Sequence, residues 1–184
     1  MINWNLCITK IRTYEKVKGI YLYGKVGVGK TYSMNELKKY CYRDYNWKTP
    51  LGEIKKLKLS IDYLLLNWPT YISDLKRAMS SNDYTNLPSS RTLQETEILI
   101  IDDIGYETPS NWMLSEILLP ILDYRFNNKL FTCFTSNFSI TELEKYWLKK
   151  CDSQSINRCL SRIRGMCSEK ELVGEDKRIF KNGE

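Results

Sequence analysis

The chain has 184 residues, a formal charge of +6 and no histidine. Its length supports one core-bearing domain, and 42% hydrophobic residues is an ordinary globular share, so disorder is not expected. Without histidine there is no histidine-based zinc site and no histidine general base, while the mild positive charge suits a polyanionic partner without identifying one. Six cysteines stand at 7, 41, 133, 151, 159 and 167, and no C-x-x-C pair occurs, which argues against a zinc ribbon. No signal-peptide pattern and no apolar run of membrane-spanning length is present. The expectation is a cytoplasmic protein with reduced thiols and no membrane partner.

Residues 2–16 carry Trp4, Leu6, Ile8, Ile11 and Tyr14 among charges and read as a short helix leading into the first strand. That strand is Gly19-Ile20-Tyr21-Leu22-Tyr23. It runs straight into Gly24-Lys25-Val26-Gly27-Val28-Gly29-Lys30-Thr31, the P-loop pattern G-x-x-x-x-G-K-T. Tyr32 to Tyr40 follows with helical spacing and no breaker. Glycines at these positions let backbone N–H groups turn inward around a phosphate without Cβ clashes. The helix start adds its positive dipole end. The expected nucleotide cradle is Gly24, Val26, Gly27, Val28, Gly29, Lys30, Thr31 and Tyr32. Lys30 reaches the β and γ phosphates of ATP, and the Thr31 hydroxyl ligates Mg²⁺. The bland alternative is a glycine turn beside an exposed lysine. All four fixed positions and both flanking elements favour the nucleotide.

Residues 45–59 contain Pro50-Leu51-Gly52 and the basic residues Lys55, Lys56 and Lys58, and read as irregular loop. The lysines suit nucleic acid or simply a solvated face. Ile61 to Leu66 reads as a second strand ended by Pro69, and Thr70 to Ser80 as a helix with Thr70 as its N-cap. Residues 81–92 are polar and read as a surface loop. Ile98-Leu99-Ile100-Ile101-Asp102-Asp103 describes a buried parallel strand that delivers two carboxylates at its C-terminal end. Asp102 is placed to hold Mg²⁺ as the Walker B aspartate, and Asp103 to orient the attacking water. Asn111 to Asn127 is helical, with a kink expected at Pro120. Leu130 to Thr135 is a strand followed by Ser136-Asn137. Asn137 fits a sensor residue that reaches the γ phosphate, or a turn former or N-cap before the helix Thr141 to Lys149. Ser155 to Met166 reads as a helix carrying Arg158, Arg162 and Arg164, and residues 168–173 as a last strand before a charged tail.

A P-loop followed by alternating strands and helices gives an α/β parallel sheet with helices on both faces. Several enzyme classes share it. A GTPase would carry N-K-x-D for guanine, but Asn128-Lys129-Leu130-Phe131 lacks the aspartate. A P-loop small-molecule kinase would carry an arginine-rich lid, and no clear one is seen.

The runs Gly19 to Tyr32, Ile98 to Gly105, Phe134-Thr135-Ser136-Asn137-Phe138-Ser139 and Arg158 to Arg164 together resemble the AAA+ domain of bacterial helicase loaders of the DnaI/DnaC type. The similarity extends from about Gly19 to Arg178. It implies an AAA+ type parallel sheet sandwiched by helices, without a separate C-terminal lid domain. It further implies an ATPase that delivers the ring-shaped hexameric replicative helicase to single-stranded DNA, with self-association placing each ATP site between neighbouring subunits. Arg162 matches the arginine finger that completes the adjacent subunit's site, and Arg158 shares its face. The whole of 1–184 is expected to be one AAA+ domain, because the stretch before the first strand is far below domain size and the family's helicase-gripping N-terminal domain is missing. An IstB-like transposition helper acting on duplex DNA is the alternative within this resemblance.

Overall fold

A computed structural model of the chain describes residues 2–4, 7, 8, 11, 17–48 and 54–176, with backbone alone for 42–48 and 54–60. Strand β1 (Gly19–Tyr23) leads through the glycine loop into α1 (Lys30–Asn35) and a short helix α2 (Lys38–Cys41). Of the helix expected over 2–16, Trp4, Cys7, Ile8 and Ile11 are helical and most of the rest lies outside the described residues. Trp4 donates its indole N–H to the Ser33 carbonyl at 2.9 Å, which ties this segment to α1.

The loop expected over 45–59 is instead an antiparallel hairpin, β2 (Tyr42–Lys48) and β3 (Ile54–Ser60), registered from Tyr42 opposite Ser60 to Lys48 opposite Ile54. The reason is legible afterwards. Tyr45 and Trp47 recur at a spacing of two, as do Leu57 and Leu59, which is the strand period. Pro50-Leu51-Gly52 marked the connection rather than the whole region, and it lies outside the described residues, as do the side chains of Lys55, Lys56 and Lys58.

Strand β4 (Tyr63–Asn67) hands over directly to α3 (Trp68–Ser81). The N-cap is Asn67, whose side chain accepts from the Thr70 N–H at 3.2 Å, and not Thr70 itself. Pro69 therefore sits in the first helical turn, where its missing N–H has no partner to lose. The polar stretch 81–92 ends early, because Ser89 caps a further short helix, α4 (Ser90–Glu95). Strand β5 (Ile98–Asp102) is buried along its whole length. The expected interruption near Pro120 is a π-helical stretch, Met113–Leu118, running into α5 (Leu119–Asn127) with Pro120 in the first turn. A wider turn ahead of a proline frees the helix from the backbone donor it lacks. Strand β6 (Phe131–Ser136), α6 (Ile140–Trp147), α7 (Ser153–Met166) and β7 (Cys167–Glu171) complete the order.

The five strands of the main sheet are all parallel, in the order β4-β5-β6-β1-β7. Alternate residues of β5 feed two cores. Leu99 and Ile101 pack with Leu118, Leu122, Trp147 and Leu160 on one face, while Ile98 and Ile100 pack with Met34, Leu37 and Trp4 on the other. Burial on both faces explains the near-continuous apolar runs of β5 and β6. It also fixes register, since a one-residue slip would move every one of these side chains to the wrong face. The C-terminal ends of β1, β5 and β6 consequently lie side by side on one edge.

Candidate nucleotide site

The site is built on that edge. The loop after β1 is held to the end of β6 by the Gly24 N–H donating to the Ser136 carbonyl at 3.3 Å. Gly27 and Gly29 have φ of 81° and 97°, in the region that side-chain-bearing residues avoid. A Cβ on Gly27 would also run into the carboxylate of Asp176, which lies against the loop from the segment following β7. Val28 is buried and offers the cradle only its backbone, whereas Val26 and Tyr32 are exposed beside it.

Lys30 is buried, and its ammonium donates to the carbonyls of Gly24 at 2.8 Å and Lys25 at 2.9 Å and to Asn137 Oδ1 at 2.8 Å. Thr31 Oγ1 donates between the two oxygens of Asp102, at 3.1 Å from each. The structure thus brings Lys30, Thr31, Asp102 and Asn137 into one connected cluster, with Asp103 next in the chain. Asn137 is not the N-cap of α6; Ser139 fills that place in a capping box with Glu142.

Asp102 is 3% exposed. Burial pushes its carboxyl above the ordinary carboxylate range, and the Asp103 charge adds to this; hydrogen bonds from Thr135 and Thr31 and the charge of Lys30 oppose it. A cation beside it would reverse that balance. The Thr31 hydroxyl and the Asp102 carboxylate are hard oxygen donors, which suits Mg²⁺. Among the described residues no group of three or more His, Cys, Asp or Glu could hold a metal ion. Mg²⁺ needs no such cage, because it is usually held by one or two protein oxygens plus phosphate and water. The donor set therefore fits ATP with Mg²⁺.

Arg162 is not brought to this cluster. It lies on α7, where Nε donates to Asp123 Oδ1 of α5 at 2.6 Å and the guanidinium stands 4.8 Å from the centre of the Phe126 ring. Arg158 approaches the other Asp123 oxygen at 3.6 Å and is more exposed. Arg125 is fully buried and donates to Thr132 Oγ1 and to the carbonyls of Leu93, Gln94, Thr96 and Phe131, a structural clamp between α4 and β6.

Three residues at the site escaped the sequence reading. Thr135 donates to Asp102 Oδ1 at 2.6 Å, Ser136 donates to the Ile104 carbonyl at 2.6 Å, and buried Glu107 accepts from the Gly105 N–H at 2.7 Å. The available signal for Thr135 and Ser136 was a pair of adjacent polar residues closing a strand buried on both faces; nothing in the sequence marked Glu107.

A parallel sheet in this order, with a P-loop after β1 and an aspartate pair at the end of β5, defines an AAA+ type P-loop NTPase domain. The fold is shared with AMPPCP-bound DnaA from Aquifex aeolicus, at TM-score 0.60, 15% identity, and 96% of this chain over 48% of that one. Within the class, the chain resembles the replicative helicase loader DnaI of Bacillus subtilis, 30% identical over an alignment of 171 residues, with 89% of this chain and 48% of that protein covered. The chain thus spans about half the length of that curated relative. A crystal structure of DnaI superposes with TM-score 0.66 and 27% identity, covering 95% of this chain and 81% of that one. No family model matches the sequence. No helix among the described residues is long and apolar enough to cross a membrane.

Proposed function

We propose that this chain binds and hydrolyses ATP with Mg²⁺ as the ATPase domain of a replicative helicase loader. The observation that carries the ATP part is the convergence of Lys30, Thr31, Asp102 and Asn137 at the edge shared by β1, β5 and β6. The loader part is supported by the likeness to DnaI in sequence and fold.

In this reading Lys30 leaves the loop carbonyls for the β and γ phosphates, and Asn137, already at its ammonium, contacts the γ phosphate beside it. Thr31 and Asp102 hold the Mg²⁺, which supplies charge neutralisation on the phosphates. Asp103 orients the attacking water. Arg162 acts in trans on a neighbouring copy, leaving Asp123 for the neighbour's phosphates. Residues 1–184 work as one ATPase domain, and its partners are single-stranded DNA and the hexameric helicase.

The test is binding of fluorescent ATP and of labelled single-stranded DNA, with duplex DNA, GTP and the Lys30→Ala protein as controls. ATP binding abolished by Lys30→Ala, and single-strand binding that needs ATP, are expected. Unchanged ATP affinity in Lys30→Ala would overturn the site. A preference for duplex would overturn the loader reading in favour of a transposition helper.

A further inference from the structure

We propose that Thr135 is the positioning residue for both aspartates of the site, so that the grip on Mg²⁺ depends on a hydroxyl that does not touch the ion. This inference rests on the nucleotide reading above. It starts from the turn that follows β5. Asp103 has φ of 60°, a left-handed conformation that a non-glycine residue keeps only when its surroundings impose it. Thr135 holds this turn through two hydrogen bonds and the preceding Asp102 through a third. Its Oγ1 accepts the Asp103 N–H at 2.9 Å, its carbonyl accepts the Ile104 N–H at 3.0 Å, and its hydroxyl reaches Asp102 Oδ1 at 2.6 Å.

The direction of the hydroxyl proton follows from the partners. A backbone N–H can only donate, so Oγ1 is the acceptor towards Asp103, and its own proton is left for the carboxylate. Thr135 is fully buried, so no water competes for either bond. One Asp102 oxygen is held by Thr135 and the carboxylate plane is fixed, which presents it to Thr31 and to an ion beside it. Removing the hydroxyl leaves a buried N–H and a buried carboxylate oxygen short of a partner at once. It also removes one of the two Thr135 hydrogen bonds that hold the left-handed turn at Asp103.

The experiment titrates Mg²⁺ into fluorescent ATP bound to wild type, Thr135→Val and Thr135→Ser, alongside thermal melting and steady-state hydrolysis. Expected for Thr135→Val is wild-type affinity for ATP in EDTA, within about twofold. The Mg²⁺ concentration for half-maximal tightening should rise about tenfold, the scale seen when a partner of a metal-holding carboxylate is lost. Hydrolysis should fall through kcat rather than KM, and Thr135→Ser should restore both. A lowered melting temperature with an unchanged Mg²⁺ midpoint would mean a merely structural threonine and overturn the inference. If Thr135→Val does not fold, Thr135→Cys, a weaker donor and acceptor, decides instead: an intermediate midpoint supports the inference and a wild-type midpoint overturns it. A wild-type chain that binds no ATP would remove the nucleotide reading itself, and this inference with it.

Discussion

Lys30 and Asn137 meet through a 2.8 Å hydrogen bond between the glycine loop and the end of β6. The amide oxygen accepts from the same ammonium that would bind phosphate, so Asn137 stands within reach of whatever Lys30 holds. Asn137→Ala is expected to lower hydrolysis about 100-fold, the scale of one lost electrostatic partner in a transition state. Nucleotide affinity should change by no more than about threefold, because the backbone cradle remains. A filter-binding or fluorescence measurement beside a phosphate-release assay separates the two. Loss of binding in place of turnover would make Asn137 a brace for the loop.

Arg162 pairs with Asp123 while about a third exposed on both sides. Solvent screening limits such a pair to about 1 kcal/mol or less, and stacking on Phe126 adds a similar amount. Arg162→Ala should thus fold nearly as well as wild type. If Arg162 acts in trans as proposed, the variant's ATPase rate per molecule, plotted against protein concentration, should lack the rise expected of wild type on assembly, by about tenfold or more at the highest concentrations. An equal loss at high dilution would mean that Arg162 serves its own site.

The glycine loop, the aspartate pair and the strand they end on were readable because each is a local pattern with a chemical reason. So was the position of Asn137, one residue past a buried strand. The hairpin β2–β3 was hidden by a proline and a lysine run that outweighed the two-residue alternation of Tyr45, Trp47, Leu57 and Leu59. The Asn67 cap was hidden by the neighbouring Thr70, an equally good capping type. Thr135 was marked in the sequence only as a polar residue near the end of a buried strand, and Glu107 was not marked as a site residue at all. Their role comes from the pairing of β6 with β5 and from the fold of the turn after Asp102, neither of which is a property of nearby sequence.

Arg125 shows what such a tertiary role is worth. Its guanidinium makes five hydrogen bonds, four of them to carbonyls. Three of those carbonyls belong to Leu93, Gln94 and Thr96, where α4 ends and its last C=O groups lack intrahelical donors. Burial lowers its pKa to about 10, so it stays charged at neutral pH. Arg125→Ala should cost at least about 3 kcal/mol through several buried acceptors left unpaired. Arg125→Lys should recover little, since a single ammonium cannot span the fork. Urea denaturation at unchanged m-value would measure it. A loss under about 1 kcal/mol would show that water replaces the clamp.

The cysteines give a prediction with a worked pH direction. Burial pushes Cys133 and Cys159 from 9.0 to about 12, and Cys167 well above 9.0. Cys41 is also buried, whereas Cys7 and Cys151 are half-buried. The thiolate is the reactive form, so at pH 8 Cys7 and Cys151 should take up iodoacetamide first. The other four should react only after unfolding, which intact-mass counting in buffer and in denaturant would resolve. The folded pKa values lie above the unfolded ones, so the folded chain keeps protons that the unfolded chain releases between about pH 9 and 12. Stability contributed by these thiols is complete below that window and falls as pH rises through it. Fast alkylation of all six in native buffer would contradict the burial of Cys133 within β6 and of Cys167 at the start of β7, and with it the packing that aligns the strand ends at the site.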